Sequence, residues 1–288
     1  MVLSAPMPAL TAMLSGMRPG HWVKNAFVVI PVIFSGRLAD PAALISGLQA
    51  AAAFCLQSSA GYLLNDVCDA ARDRANPLKA SRPVASGALS VRRALAGAAV
   101  LTIGAQAVTW GLPLAVRASL AAYLLLSGAY SLALKRVVAV DAFAIALGFV
   151  LRIVAGCAAI DVPVSGWVLS CGMALALLLA LGKRRYEAVD ALPGIYPAGV
   201  LDRMIAAVAA IAAFLYLFYA LDPSVPANRG GVRLIWSVPL VAAGLVRYLH
   251  LVRGARRPAV SAIGLLRDRA LLACVAGWTA AVVWAAYG

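Results

Sequence analysis

The chain has 288 residues, 64% hydrophobic and 12% charged, with a mean hydropathy of +0.91. Soluble domains average about 45–50% apolar and about 25% charged residues, so soluble, disulfide-framed and disordered classes are excluded. What remains is an all-α polytopic membrane protein. The formal charge of +14 would suit a nucleic acid. The cations, however, sit in short loops between apolar runs, as the positive-inside rule requires, so no nucleic-acid partner is expected.

A hydrocarbon core ~30 Å thick takes about 20 apolar residues per helix. Nine spans are predicted in chain order: 22–36, 44–64, 93–111, 114–134, 138–160, 164–183, 202–221, 235–252 and 269–287. The stretch before the first span lacks a basic start and a small-residue cleavage site, so it reads as retained rather than as a signal peptide. The first span is short and contains Pro31. The second runs into a long charged loop at 65–92, and further long loops fall at 184–201 and 253–268. With the N-terminus inside, twenty of the 25 Lys and Arg residues lie on the cytoplasmic side, four lie opposite, and Arg152 sits within a span. That bias sets a cytoplasmic N-terminus and an outside C-terminus. A single integral-membrane catalytic domain over 1–288 is expected. The five cysteines are scattered without CxxC spacing and read as small core residues. Small residues at 50–53 would permit close helix packing and hence a homo-oligomer.

Two charged features stand out. Asp66, Asp69 and Asp73, at spacings of three and four, would share one face if the second span's helix continued past the membrane edge. Three stacked carboxylates repel one another unless cations intervene. A hard divalent ion with room for water and phosphate oxygens suits Mg²⁺, whereas the plainer alternative pairs the acids with Arg72, Arg74 or Lys79. The second feature is Arg152. An Arg at a helix centre costs about 2.5–3.5 kcal/mol on insertion scales, so it should face a partner or a wet cavity. Asp141 lies eleven residues earlier, ~20° away in direction and ~16 Å along the helix, which aims both at one cavity.

Asn65-Asp66-x-x-Asp69-x-x-x-Asp73, followed by Asn76-Pro77-x-Lys79-x-x-Arg82-Pro83, resembles the first aspartate motif of the UbiA-type intramembrane prenyltransferases. The resemblance implies nine transmembrane helices around a central lipid-accessible cavity. Family members carry a second acidic motif after the sixth helix, where this chain has Gly182-Lys183-Arg184-Arg185-Tyr186-Glu187. Cations there would grip phosphate directly, without a bridging ion. Three further stretches are similar to the decaprenyl-phosphate phosphoribosyltransferase branch of the family. They are Arg18-Pro19-x-x-Trp22-x-Lys24-Asn25, Tyr130 through Lys135 to Asp141, and Gly148 through Arg152.

That branch implies transfer of 5-phosphoribose from phosphoribosyl diphosphate (PRPP) to a polyprenyl phosphate, for arabinose-type envelope glycans, in a bacterial inner (plasma) membrane with cytoplasmic active-site loops. It implies Mg²⁺ on Asp66, Asp69 and Asp73, with Asp141 as a further catalytic acid. It also implies substrate contacts from Lys24, Asn25, Asn65, Lys79, Arg82, Tyr130, Lys135, Arg152, Lys183, Arg184, Arg185 and Glu187. The alternatives are an ordinary UbiA-type prenyltransferase, which would want acids where Lys183–Arg185 stand, and an anionic-lipid transporter, for which a carboxylate stripe has no evident use.

Overall fold

Regular structure in this chain is helical wherever it is described. The computed structural model describes residues 8–136, 140–190, 198–225, 231–254, 262–265 and 267–287, and for 136, 186–190, 198, 262 and 263 the backbone alone. The chain opens with α1 (Ala9–Met17), a 3₁₀ segment Pro19–Val28, and α2 (Ile30–Phe34). There follow α3 (Pro41–Arg74), α4 (Val91–Val108), α5 (Leu114–Leu132), a 3₁₀ turn Leu134–Arg136, and α6 (Val140–Ala159). The second half holds α7 (Gly166–Asp190), α8 (Ala198–Leu221), a 3₁₀ stretch Gly231–Ser237, α9 (Val238–Gly254), α10 (Ala262–Leu265) and α11 (Arg269–Tyr287). Seven described helices or helical stretches are long and apolar enough to cross a membrane. The other two expected spans are the 18-residue α4 and the broken segment before α3.

That broken segment departs from the expected helix at 22–36. Pro19 and Pro31 each remove a backbone donor, and the chain runs as 3₁₀ from Pro19 to Val28 before α2 begins. Runs of 3₁₀ rarely exceed three or four residues. Tertiary contacts hold this one: Trp22 Nε1 donates to Ser59 Oγ at 3.0 Å, and Asn25 Nδ2 reaches Ser58 Oγ at 3.4 Å. Gly156 of α6 makes room for it, because a β-carbon there would run into the Val28 carbonyl.

Helix α3 is the longest element. Asp40 caps it by accepting from the Ala42 and Ala43 amides at 3.0 and 3.3 Å, and Pro41 suits its first turn. Its 34 residues span ~51 Å, well beyond the ~30 Å hydrocarbon core, so its last turns project past the membrane edge. The predicted loop at 65–92 is therefore helical to Arg74 and becomes a turn-rich loop only afterwards. Helix α7 likewise runs through Lys183–Arg185 to Asp190, so the basic triplet is helical rather than the start of a loop.

Two apolar cores support the polar centre. In one, Phe54, Val116, Leu120 and Ala155 pack α3, α5 and α6 together with Val28 of the 3₁₀ segment. In the other, Leu178, Leu181, Leu201, Ile205 and Tyr248 join α7, α8 and α9. Asp268 fixes the start of α11 by accepting from Leu271 N at 2.8 Å and from Arg247 at 2.7 Å. The Arg247 guanidinium, with that backbone N–H second, pulls its carboxyl down to about 2.

Candidate functional site

Asp66, Asp69 and Asp73 are 1%, 7% and 2% exposed, so none is a solvated surface acid. Burial of a carboxylate demands compensation, and the structure supplies cations from three other segments and one from α3 itself. Arg18 donates to Asp66 at 2.5 Å. Arg82, from the loop after α3, donates to Asp73 at 2.7 Å and lies 3.5 Å from Asp66. Asp69 is turned to the other flank, where Lys135 and Arg72 both approach Oδ1, at 2.6 and 2.5 Å. Asn65 Oδ1 accepts from Ser131 at 3.1 Å and Lys135 at 3.4 Å, tying the end of α5 to the same helix.

The helix geometry explains the division. Asp66 and Asp73 differ in direction by only ~20°, while Asp69 lies ~40–60° from both. Of the surface pairings considered from sequence, Arg72 does reach Asp69. Arg74 instead donates to the Ala85 carbonyl at 3.1 Å, and Lys79 forms no ion pair among the described residues. Arg18 was the residue that sequence reasoning left without a role. It sits in a left-handed conformation at φ +53°, which turns the chain sharply between α1 and the 3₁₀ segment. That turn brings its guanidinium to an aspartate 48 residues away.

Among the described residues, no three acid, His or Cys side chains converge on one point as a closed metal cage would require. Mg²⁺ seldom uses such cages. It is held through one or two carboxylates, with water and substrate phosphates completing its shell. The Oδ2 atom of Asp66 is buried without a hydrogen-bond partner, which leaves a hard oxygen ligand free on this face. The donor set fits that ion.

The basic end of α7 is split by its own helical twist, since consecutive residues point ~100° apart. Arg184 forms an ion pair with Asp141 of α6, and its Nη2 donates to Tyr130 Oη at 3.2 Å. Arg185 turns outward to α8, where Nε and Nη2 meet the Asp202 carboxylate at 3.0 and 3.4 Å. Lys183 acts electrostatically on His21 of the 3₁₀ segment. The triplet thus does not converge as one grip. The Glu187 side chain lies outside the described residues.

Deeper along α6, Arg152 is 4% exposed. Its Nε donates to Asn25 Oδ1 at 2.7 Å, Nη1 to the Gly148 carbonyl at 2.7 Å, and Nη2 to Tyr123 Oη at 3.2 Å. The guanidinium lies over the Tyr123 ring at 4.5 Å and near Phe149 and Phe54 at 5.4 and 5.5 Å. None of these partners is an anion. At the neighbouring mouth, His21 Nδ1 is 3.3 Å from Tyr62 Oη, and Arg18 stacks on the Tyr62 ring at 5.1 Å. Burial first, then Lys24, Arg18 and Lys183, push the His21 imidazole down to about 4.

The sequence pattern of the UbiA prenyltransferase family, a family of intramembrane transferases, matches residues 28–267, and the chain belongs to that family. Among sequence relatives, the decaprenyl-phosphate phosphoribosyltransferase of Mycolicibacterium smegmatis is 33% identical over 188 residues, covering 63% of this chain and 58% of that protein. The chain therefore matches somewhat over half the length of that relative. The nodulation protein NoeC of Azorhizobium caulinodans is 32% identical over 237 residues, covering 75% of this chain and 73% of its own. A UbiA homolog from Archaeoglobus fulgidus bound to DMAPP and Mg²⁺ superimposes with a TM-score of 0.71 at 16% identity. It covers 94% of this chain and 99% of that one. Such a likeness speaks for the fold.

Proposed function

We propose that the chain transfers 5-phosphoribose from PRPP to a polyprenyl phosphate such as decaprenyl phosphate, releasing diphosphate, as one catalytic domain in a bacterial plasma membrane with its charged loops cytoplasmic. The observation that carries this reading is the end of α7. There Arg184 is set by Asp141 and Tyr130, and Lys183 acts electrostatically on His21 and Lys24 of the 3₁₀ segment. A donor held at both ends by phosphate needs more direct cationic contacts than an allylic diphosphate does. The similarity to the Mycolicibacterium smegmatis phosphoribosyltransferase supports the same choice.

One phosphate oxygen of the acceptor forms the new bond to C1 of the ribose, while the C1–O bond to diphosphate breaks and its electron pair leaves with the diphosphate. A phosphomonoester is already anionic near neutral pH, so the nucleophile needs no strong base. Direct displacement from the opposite face inverts C1 and gives a β-linked product. Asp66 and Asp73 would hold Mg²⁺, which when bound would neutralise the leaving oxygens, while Asp69 on the other flank holds Lys135. Arg18, Arg82 and Lys135, anchored on those same carboxylates, would receive the diphosphate oxygens. Asn65, which accepts from Lys135, would border the same position, and Lys79, one turn before Arg82 in the loop, is a further candidate.

The test is a donor swap on the purified chain in detergent with Mg²⁺. Labelled PRPP plus decaprenyl phosphate should give a labelled lipid that EDTA abolishes and Mg²⁺ restores. A prenyl diphosphate plus 4-hydroxybenzoate should give nothing. Product only from the second pair overturns the reading in favour of prenyl transfer, and an α-linked product by NMR overturns the single displacement.

A further inference from the structure

A buried guanidinium whose partners are an amide oxygen, a backbone carbonyl, a phenol and three aromatic rings is stabilised but not neutralised. Side-chain dipoles and ring faces lower its cost, yet they leave a full positive charge in a low-dielectric region. Of its five N–H donors, three are spoken for by these contacts. A second cation, Lys24, adjoins Asn25 on the same 3₁₀ segment. It forms no ion pair among the described residues, and Arg152, Lys183 and Arg18 all act on it electrostatically. Of these cations, Arg18 is engaged by Asp66. The centre formed by Lys24 and Arg152 carries two positive charges with no carboxylate of the described chain against either.

The position is distinct from that of the aspartate helix. Asn25 contacts α3 at Cys55 and Ser58, eight to eleven residues and ~12–16 Å before Asp66 along the helix. The amide of Asn25 has a fixed orientation, because its oxygen takes the Arg152 Nε–H while its nitrogen is turned to Cys55 Sγ at 3.2 Å and Ser58 Oγ at 3.4 Å. Gly156 sets the depth of the segment by letting it lie against α6.

We propose that Lys24, Asn25 and Arg152 form a phosphomonoester-binding site that works without a metal ion. A dianionic phosphate supplies the two charges this cluster lacks and three acceptor oxygens for the remaining Arg152 and Lys24 donors. The proposal rests on the transferase reading for its physiological ligand, which is either the phosphate of the lipid acceptor or the 5-phosphate of the sugar donor. Both are phosphomonoesters, and the chemistry is shared.

Equilibrium binding separates the sources. The purified full chain in detergent, with EDTA throughout, is titrated with radiolabelled decaprenyl phosphate and, separately, with ribose 5-phosphate; decaprenol is the uncharged control. The wild type should bind one or both phosphomonoesters and not decaprenol through this site. Lys24→Met should weaken that binding about tenfold or more, the scale of one charge-assisted contact, and Lys24→Arg should recover most of it. Lys24 makes no side-chain hydrogen bond or ion pair among the described residues, so the Met variant is expected to keep its fold. Arg152→Gln, checked for a monodisperse elution profile, should act in the same direction. A loss confined to decaprenyl phosphate assigns the site to the acceptor, and one confined to ribose 5-phosphate assigns it to the donor. Wild-type chain that binds neither phosphomonoester without metal, or Lys24→Met chain that binds both as the wild type does, overturns the site. Normal binding by the site with no transfer from PRPP would instead overturn the transferase reading and leave the site in place.

Discussion

The cytoplasmic end of α3 and the middle of α6 solve the same problem, a buried charge, in opposite ways. At α3 three carboxylates are met by four cations, each reachable from the loop side and each held by ion pairs. At α6 one guanidinium is met by neutral dipoles and aromatic faces alone. On the proposed reading the first arrangement exchanges its partners: a divalent cation would take the carboxylates while Arg18, Arg82 and Lys135 turn to an anion. The second is fixed in place and lacks only an anion. One region is built to trade ions and the other to wait for a charge.

The largest expected effect tests the exchangeable region. Asp66→Ala or Asp73→Ala should lower phosphoribosyl transfer by roughly 10²–10³-fold, as loss of a preorganised electrostatic contact to a leaving group does. Both variants should still elute as monodisperse protein in detergent. Turnover within tenfold of wild type in both would remove the carboxylates from the chemistry and make them a purely structural ion network.

Next in size is a contrast within the basic end of α7. Arg184→Ala removes a cation fixed by Asp141 and Tyr130 and should cost about 10–100-fold in kcat/KM, in line with one charged contact of about 1.5–3 kcal/mol. Arg185→Ala removes a pair with Asp202 on the outer flank of α7, less buried than that of Arg184 and nearer the surface kind usually worth about 0–1 kcal/mol, and should cost at least tenfold less. Equal losses would mean that the two cations act as one unit despite their directions.

How far these regions were legible from sequence follows the same division. That α3 carries its three carboxylates past the membrane edge was readable from their spacing on a continuing helix; that Asp69 would part from Asp66 and Asp73 was not, since Lys135 and Arg72 hold it on the other flank. Arg152 and Asp141 were readable because charge inside an apolar run needs a reason. The pairing of Arg18 with Asp66 was not, since it depends on a left-handed residue whose turn joins positions 48 apart. The basic triplet misled for the converse reason. Read as a loop, Lys183, Arg184 and Arg185 could gather on one ligand; as three residues of a continuing helix they face three directions. The first span was misread where tertiary bonds from Trp22 and Asn25 outweighed apolar composition.

A stability measurement sharpens the fixed region. Gly156→Val would push a side chain into the Val28 carbonyl and lift the 3₁₀ segment that carries Lys24 and Asn25. Overpacking of this kind costs about 1–3 kcal/mol. Thermal unfolding in detergent should show a lower Tm, with weaker phosphomonoester binding alongside it. An unchanged Tm would mean that the segment is not seated on α6 as tightly as its geometry indicates.

The smallest effect concerns His21, which stands at the mouth between the two regions. Burial and the cations of Lys24, Arg18 and Lys183 hold its imidazole at about 4, against 6.5 for an exposed ring. The folded protein therefore binds fewer protons here than the unfolded chain once the pH falls below 6.5. Stability should be insensitive to this group above pH 6.5, decline as the pH falls from 6.5 to about 4, and level off below that. In wild-type protein the His21 ring should read as neutral by NMR from pH 8 to 5, and His21→Gln should flatten its share of the Tm decline. A ring that titrates near 6.5 would mean that the surrounding cations are already neutralised by an anion, and that the mouth of the site is less positive than Lys24, Arg18 and Lys183 make it.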